Sequence, residues 1–269
     1  MNPNVSFHWW KQKANLGDEL TNLILSKRYG FDLAYSDLAD CDAIGIGSIL
    51  SWPWHRNIFT KRNGKPLHVL GSGLMEPTVS LDLTDQINLH AVRGYLTQTI
   101  FTRLGYKEAA VGDMGIVVDK YFPMERVSTP DRIGIIPHHG RVQFAKKLPV
   151  LTEEHIIIDL RTSDIGAIVR QLAQCKYVIS QSLHGLIMAD AYAIPNVWIY
   201  SGALHKGGDF KFLDYFSTVG RSPRLRFENW KRIGSHEAIE DLVNCDFRGA
   251  TLLKSQVDNY LNEFEVGFS

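Results

Sequence analysis

The sequence predicts an α/β protein with two facing Rossmann-like halves, each built on a parallel sheet. Short apolar runs alternate with amphipathic stretches along the 269 residues, which is the pattern of strands connected by helices. The alternation stops once, at the proline-containing segment 121–131, and then begins again. We therefore expect an N-terminal half over 1–125 and a C-terminal half over 126–269, whose last helix is a candidate to pack back on the first half.

The composition excludes several classes of protein. There are 29 Lys and Arg against 29 Asp and Glu, so the net charge is zero and a broad nucleic-acid surface is not expected. A hydrophobic fraction of 45% argues against disorder. The sequence contains neither a membrane-spanning apolar run nor a signal-peptide pattern at its N-terminus. Its three dispersed cysteines indicate free thiols, so we expect a cytoplasmic protein without a metal cluster.

The first half contains five apolar segments that read as strands, at 5–9, 42–47, 66–70, 89–92 and 109–111. Helical periodicity covers 19–29 and 95–104. Asp18 and Glu19 stand at the start of the first helix, where acidic groups are favoured.

The second half repeats this alternation. Strands are expected at 132–136, 155–159, 177–180 and 196–200, and helices at 164–174, 182–193, 210–216, 235–243 and 251–264. Ligands of such folds bind at the carboxyl ends of the strands. The candidate site is therefore in the segments that follow the strands.

Small residues, amides, histidines and cationic side chains occupy those segments: Asn15, Gly17, Asp18, Gly47, Ser48, Gly73, Arg93, Asp113, His138, His139, Ser180, Ser182, Leu183, His184, Gly185, Lys206 and Lys211. Glycines allow a ligand to approach the backbone. Helices that begin after Gly17, Gly94 and Ser182 offer free N–H groups to an anion. Together these features predict an anion pocket in a chain without net positive charge.

Most of these residues also have a structural interpretation, which the sequence leaves open. The alternatives are tight turns for the glycine pairs, a helix cap for Asp18, an ion pair for Arg93, a loop brace for Asp113, a surface turn for His138 and His139, and a solvated loop for Lys206 and Lys211. The segment 178–191 is more specific, because packing does not readily explain a histidine at a strand-to-helix junction before glycine and an apolar helix. We favour a site role for His184.

Asn15-x-Gly17-Asp18, Gly45-x-Gly47-Ser48, Arg93-Gly94, Gly112-Asp113 and above all Ser180-x-Ser182-Leu183-His184-Gly185 resemble the polysaccharide pyruvyl transferase family. The resemblance runs from Asn15 to about Phe216. It implies a GT-B-like fold and transfer of the pyruvyl group of phosphoenolpyruvate to a sugar, which gives a cyclic ketal and free phosphate. Many family members have an arginine directly before the Leu-His pair, where this chain has Ser182. That cationic contact is then missing or is supplied by Lys206, Lys211 or His139.

The resemblance assigns roles that the residue types can fill. Arg93 suits a bidentate contact to the phosphate or carboxylate of the donor. His184 suits acid/base catalysis or an anion contact, and Asp18 and Asp113 are candidates to orient or deprotonate acceptor hydroxyls. Phosphoenolpyruvate is expected as co-substrate, with no cofactor and no metal.

The acceptor is expected to be a cell-surface glycan or its lipid-linked precursor, and the latter would bring the protein to the inner face of the membrane. The aromatic segment 51–55 is a candidate acceptor platform, with domain packing as its alternative. Two other functions remain open: a GT-B glycosyltransferase that uses a nucleotide sugar, and a non-catalytic carbohydrate-binding protein. An assay separates the glycosyltransferase from pyruvyl transfer, because the first releases nucleotide and the second releases phosphate.

Overall fold

Two parallel sheets form the framework of the computed structural model, which describes residues 5–77, 81–200, 207–222, 226–227, 230 and 233–267. The first sheet has the strand order β2-β1-β3-β4-β5-β6. Its strands are β1 (Ser6–His8), β2 (Ala34–Tyr35), β3 (Ala43–Ile44), β4 (Leu67–Ser72), β5 (Ile87–Val92) and β6 (Ala110–Val111). The helices of this half are α1 (Leu16–Tyr29), α2 (Trp52–His55), α3 (Tyr95–Arg103) and α4 (Val118–Tyr121).

The second sheet has the order β11-β10-β9-β7-β8. Its strands are β7 (Arg132–Ile136), β8 (His155–Ile157), β9 (Cys175–Ser180), β10 (Asn196–Ile199) and β11 (Arg226–Phe227). The helices are α5 (Val142–Ala145), α6 (Ile165–Leu172), α7 (Leu183–Ala191), α8 (Phe210–Val219), α9 (His236–Glu240) and α10 (Arg248–Gly267). The described segment 122–131 has no helix or strand and connects the sheets. The α/β class and the parallel sheets predicted from the sequence are therefore present.

Helix α1 shows how local sequence sets the boundaries of an element. Asn15 caps it, because its side chain accepts a hydrogen bond from the backbone N–H of Gly17. The helix ends at Gly30, whose φ of 75° lies in the left-handed region. The sequence suggested Asp18 as a cap, but the cap is Asn15. The Asp18 side chain accepts a hydrogen bond from the Asn15 amide.

Helix α7 joins the two halves. All nine of its residues are buried, so it behaves as a core helix that is covered on every side. It packs against β9 and β10 of its own half and against the 3-10 turn Met114–Val117 of the first half. One hydrophobic cluster accordingly contains residues from both halves. The motif that begins α7 is thereby held at the junction.

Helix α10 lies against the first sheet, in contact with β5 and β6. The Tyr260 hydroxyl donates to the carbonyl oxygen of Gly112 at 3.1 Å. A Cβ atom on Gly112 would lie 2.7 Å from a methyl of Val257, so this glycine allows the close approach of the helix. The C-terminal helix therefore packs on the N-terminal half.

Some predicted bounds differ from the observed ones: the helices predicted at 19–29 and 251–264 are longer in the structure, at Leu16–Tyr29 and Arg248–Gly267, and the strand predicted at 42–47 covers only Ala43–Ile44. Several short elements were not predicted at all. Strands β2 and β11 and helices α2 and α5 have two to four residues each and were not predicted. Elements this short contain too little of a period to be read from the sequence. Helix α9 is also shorter than the predicted 235–243. Among the described residues, no helix is both long and apolar enough to span a bilayer.

Candidate functional site

A cavity of about 310 Å³ lies where the carboxyl ends of the two sheets meet. Segments that follow β1, β3, β4, β5, β7, β8 and β9 all contribute to its wall. The predicted site residues that line it are Asn15, Asp18, Gly47, Ser48, Arg93, His138, His139, Ser182, Leu183, His184 and Lys211. The structure therefore brings these residues together at the carboxyl ends of the strands, where ligands of such folds bind.

The remaining predicted residues support the wall rather than line it. They are Gly17, Gly73, Asp113, Ser180 and Gly185, while Lys206 lies outside the described residues. Gly73 packs on the guanidinium of Arg93, since a Cβ there would lie 2.4 Å from Cζ. Sequence reasoning missed Trp10, Lys13 and Arg161 as lining residues. Only their positions after strand ends could have indicated them.

The segment Ser180–Gly185 is a compact strand-to-helix turn. The Ser180 hydroxyl accepts from the backbone N–H of Ser182 at 3.0 Å and donates to the Ser182 carbonyl at 2.7 Å. A Cβ on Gly185 would lie 2.4 Å from the Ser180 hydroxyl oxygen. Only glycine allows this approach, so the turn directs His184 to the cavity.

Gly17 makes room for the imidazole of His184. A Cβ on Gly17 would lie 2.0 Å from Nδ1 of His184, far inside van der Waals contact. The backbone of α1 therefore forms one wall of the histidine's niche. This contact explains why two distant motifs, around Asn15 and around Ser182, contribute to one site.

His184 faces Asp113 across 3.8 Å, measured from Nε2 to Oδ2. Both atoms are buried, and neither has a hydrogen-bond partner among the described residues. The other oxygen of Asp113 accepts from the backbone N–H of Gly115 at 2.9 Å. Buried polar atoms are rarely left unpaired, so this pair is a candidate for proton transfer.

Burial dominates the ionisation of both side chains. It lowers the pKa of His184 to about 3, with further lowering by the cations Lys211 and Arg93. Burial also raises the pKa of Asp113 to about 6. The imidazole of His184 is therefore neutral at neutral pH, because its pKa lies well below the ordinary value for histidine.

Asp18 is a second acid at the site, and unlike Asp113 it lines the cavity. Burial raises the pKa of its carboxyl to about 7, opposed by the hydrogen bond from Asn15 at 2.5 Å. A carboxyl with this pKa is protonated in a substantial fraction of molecules near neutrality. Asp18 can therefore hold a proton where the sequence suggested only a helix cap or a base.

Arg93 is fully buried and most of its donors are bonded to protein. Its Nε and Nη2 contact Asp214 at 2.9 Å, and Nη1 and Nη2 donate at 2.6 Å to Ser48 and to the carbonyl of Leu74. Thr97 also donates to Asp214. Of the two alternatives, the structure shows the ion pair. One N–H of Nη1 lacks a partner among the described residues, so the contact to a donor anion stays a prediction.

Lys211 supplies a cation without a carboxylate partner among the described residues. It enters the cavity from α8, and its Nζ lies 5.3 Å from the ring centroid of Phe212. Burial and then Arg93 lower its pKa to about 8, and Asp18 opposes the shift. The ammonium is therefore mostly charged at neutral pH and only partly solvated, which favours an anionic ligand.

The adjacent residues His138 and His139 also line the cavity. The two rings lie 4.0 Å apart, and the backbone N–H of His138 donates to Oε1 of Gln181 at 3.2 Å. Burial lowers the pKa of His139, helped by Lys13, Lys211 and Arg161. Arg161 is itself paired with Asp159 at 2.7 Å, so Lys211 is more available to an anion than Arg161 is.

Comparisons with known proteins decide the family. The family model described as polysaccharide pyruvyl transferase matches residues 2–202, which is well over half of the chain. The chain belongs to the polysaccharide pyruvyl transferase family. This match supports a role in pyruvyl transfer onto polysaccharide, and it includes β1, α1 and the turn at His184. Lys211 lies beyond it.

Two curated relatives of this pyruvyl transferase family member are at moderate identity. The chain is 27% identical over 232 residues to an uncharacterized protein of Acanthamoeba polyphaga mimivirus, covering 80% of this chain and 75% of that protein. It is 26% identical over 227 residues to the succinoglycan biosynthesis protein ExoV of Rhizobium meliloti, covering 82% and 66%. A crystal structure of an uncharacterized Klebsiella pneumoniae protein is similar at TM-score 0.48 and 14% identity, covering 84% and 93%.

Proposed function

We propose that this chain transfers the pyruvyl group of phosphoenolpyruvate to two hydroxyls of one sugar, forming a cyclic ketal and releasing phosphate. The observation that carries the proposal is the cavity itself. It contains Lys211, which has no carboxylate ion-pair partner among the described residues, and His184, whose Nε2 faces Oδ2 of Asp113 with neither atom hydrogen-bonded within the described residues. An anionic donor and a proton-transfer reaction require these two features.

The proposed donor carries a phosphate and a carboxylate. Lys211 binds one of these groups, because a partly desolvated ammonium gains most from an anion. Ser182, at the N-terminus of α7, leaves space where many family members have an arginine, and Lys211 replaces that charge from another element. The remaining N–H of Arg93 Nη1 is a second contact to the donor.

The reaction balances with the groups at hand. A proton adds to C3 of the enol, a sugar oxygen forms a bond to C2, and the bond from C2 to the phosphate oxygen breaks. The second hydroxyl oxygen then bonds to C2 and closes the ring. The two hydroxyl groups lose two protons in total. One balances the proton that adds to C3, and the other leaves with phosphate or solvent.

The protonation states of Asp18 and His184 suggest which residue donates a proton and which accepts one. Asp18, with its raised pKa, gives the proton to C3. Neutral His184 accepts a hydroxyl proton, and the imidazolium that forms is stabilised by Asp113 at 3.8 Å, as in other acid–histidine pairs.

The acceptor is a saccharide of a surface polysaccharide or its lipid-linked precursor, and with the latter the protein acts at the inner face of the membrane. The two sheets flanking one cavity are interpreted as a GT-B-like arrangement.

The assay that tests the proposal compares donors. The full chain is incubated with an acceptor-glycan extract and either phosphoenolpyruvate or nucleotide sugars, while free phosphate, free nucleotide and the mass of the glycan are followed. Phosphate release together with a pyruvyl gain on the glycan is expected with phosphoenolpyruvate alone. His184→Ala should reduce this turnover by at least about a hundredfold and leave the circular dichroism spectrum unchanged.

The matched control is His155→Ala, a histidine outside the cavity whose ring bonds to the Ile233 carbonyl. It should retain turnover. Nucleotide release from a nucleotide sugar without any use of phosphoenolpyruvate would overturn the proposal, and full turnover by His184→Ala would remove that residue from the mechanism.

A further inference from the structure

The tryptophans near the N-terminus differ in what their indole N–H contacts. Trp9 donates to Glu19 at 3.1 Å, and Trp54 donates to the carbonyl of Asp82 at 2.9 Å. Trp10 and Trp52 have no hydrogen-bond acceptor among the described residues, and their nitrogens are not buried. Tryptophans that serve only as core normally find a partner for this donor. Two of the four therefore keep a donor directed to solvent.

The same two tryptophans line the cavity, and the other two do not. Their ring centroids lie 5.4 Å apart with an interplanar angle of 62°, and both side chains are half-buried. The guanidinium carbon of Arg56 lies 4.3 Å from the Trp52 ring centroid, which fixes that ring in place. The chain thus holds two partly exposed aromatic surfaces at the edge of the site.

These rings come from a different half of the chain than His184 and Lys211, two of the groups proposed to act on the donor. Trp10 follows β1 and Trp52 begins α2, both in the first half, whereas His184 and Lys211 are on α7 and α8. The cavity therefore combines two kinds of surface. We call the first the Trp10–Trp52 wall, whose indole N–H groups have no acceptor among the described residues, and the second the donor wall, which carries His184 and Lys211.

We propose that the acceptor sugar binds on the Trp10–Trp52 wall, with the apolar C–H face of a pyranose ring stacked on an indole and its hydroxyls accepting from the indole N–H groups. An aromatic ring with a polar edge matches a sugar, which is apolar on its faces and polar around its rim. This inference rests on the proposed function, because it gives the acceptor of that reaction its place. The stacked ring faces the donor wall, where two of its hydroxyls reach C2 of the enol.

Trp54 provides the matched control. Its ring packs on Phe59 and Phe101, with centroids 5.1 and 5.8 Å away, and it does not line the cavity. Replacing it with phenylalanine removes an indole from the same short helix without touching the proposed wall. A general effect of losing a tryptophan is thereby separated from loss of the subsite.

The experiment uses the full chain and three variants, Trp10→Leu, Trp52→Leu and Trp54→Phe. Methyl β-D-galactopyranoside and methyl β-D-glucopyranoside are the probes, and their binding is followed by saturation-transfer NMR and titration. Each cavity variant should weaken glycoside binding by about tenfold, the size of a stacking contact. Trp54→Phe should bind as the wild type does. Phosphoenolpyruvate binding, measured by thermal shift, should be the same in all four proteins.

The outcomes separate the subsite from the function it serves. Glycoside binding that depends on Trp10 and Trp52 in a protein that neither binds nor turns over phosphoenolpyruvate keeps the saccharide site and refutes the proposed function. Phosphoenolpyruvate turnover with unchanged glycoside affinity in both cavity variants refutes the saccharide site. Absence of glycoside binding to the wild type at tens of millimolar likewise overturns it.

Discussion

Burial, rather than residue type, sets the protonation states at this site. His184 attracts attention in the sequence because the ordinary pKa of histidine is near neutrality, but in the folded chain its pKa is about 3. The pKa values of Asp113 and Asp18 shift in the opposite direction and are raised to about 6 and about 7. Near neutrality Asp18 therefore keeps its proton in a substantial fraction of molecules, Asp113 is mostly ionised, and the histidine is neutral. This reversal is invisible in the sequence, because it depends on how much water each group loses.

Lys211 gives a pH-dependent prediction. Its pKa is lowered to about 8, so the ammonium is charged below this pH and neutral above it. If it binds the donor, KM for phosphoenolpyruvate should rise as pH increases through about 8, while the acceptor KM changes little. Lys211→Arg should move the rise to higher pH, because guanidinium remains charged. Steady-state kinetics from pH 6.5 to about 9.5 measure both profiles.

Lys146, outside the cavity lining, is the control for this series. Lys146→Arg should reproduce the wild-type profile. A flat KM for phosphoenolpyruvate in the wild type, or an identical alkaline rise in Lys211→Arg, would exclude Lys211 as the donor cation.

At the level of elements, the Arg93–Asp214 pair connects the end of β5 to α8. Both side chains are essentially inaccessible to solvent, and Thr97 of α3 donates to the same carboxylate. Removal of one partner from a buried pair leaves an uncompensated charge. The pair therefore fixes α8, and with it Lys211, relative to the first sheet.

Arg93→Ala should lower the free energy of unfolding by about 3–5 kcal/mol, measured by urea denaturation. Arg248→Ala is the control, because its ion pair with Asp246 is exposed and exposed pairs contribute little. Its unfolding midpoint should remain that of the wild type. A wild-type midpoint in Arg93→Ala together with weaker phosphoenolpyruvate binding would show that Arg93 acts on the donor alone.

At the scale of the whole molecule, the longer helices and strands and the position of the cavity could be predicted from the sequence. Strand β7 was predicted at its observed bounds, and the alternation of strands and helices was sufficient to predict two parallel sheets. The residues of the cavity wall followed from the rule that ligands bind after parallel strands. The segment 178–191 also indicated the turn at His184, because its residue types are unusual together.

Other properties depended on tertiary contacts between distant residues. The niche of His184 on Gly17, the ion pair between Arg93 and Asp214, and the close approach of α10 to Gly112 join segments far apart in the chain. Periodicity contains no information on which of two distant segments touch. The sequence predicted an anion pocket that includes Lys211, but only the structure shows that Lys211 has no carboxylate ion-pair partner among the described residues.

The central claim is that phosphoenolpyruvate binds in this cavity between Lys211 and the His184–Asp113 pair. A crystal structure of the protein soaked with phosphoenolpyruvate tests it most directly. We expect the phosphate or carboxylate within hydrogen-bond distance of Lys211 Nζ, and C3 directed at the Asp18 carboxyl. Phosphoenolpyruvate bound elsewhere, or an unoccupied cavity at a ligand concentration that supports turnover, would contradict it.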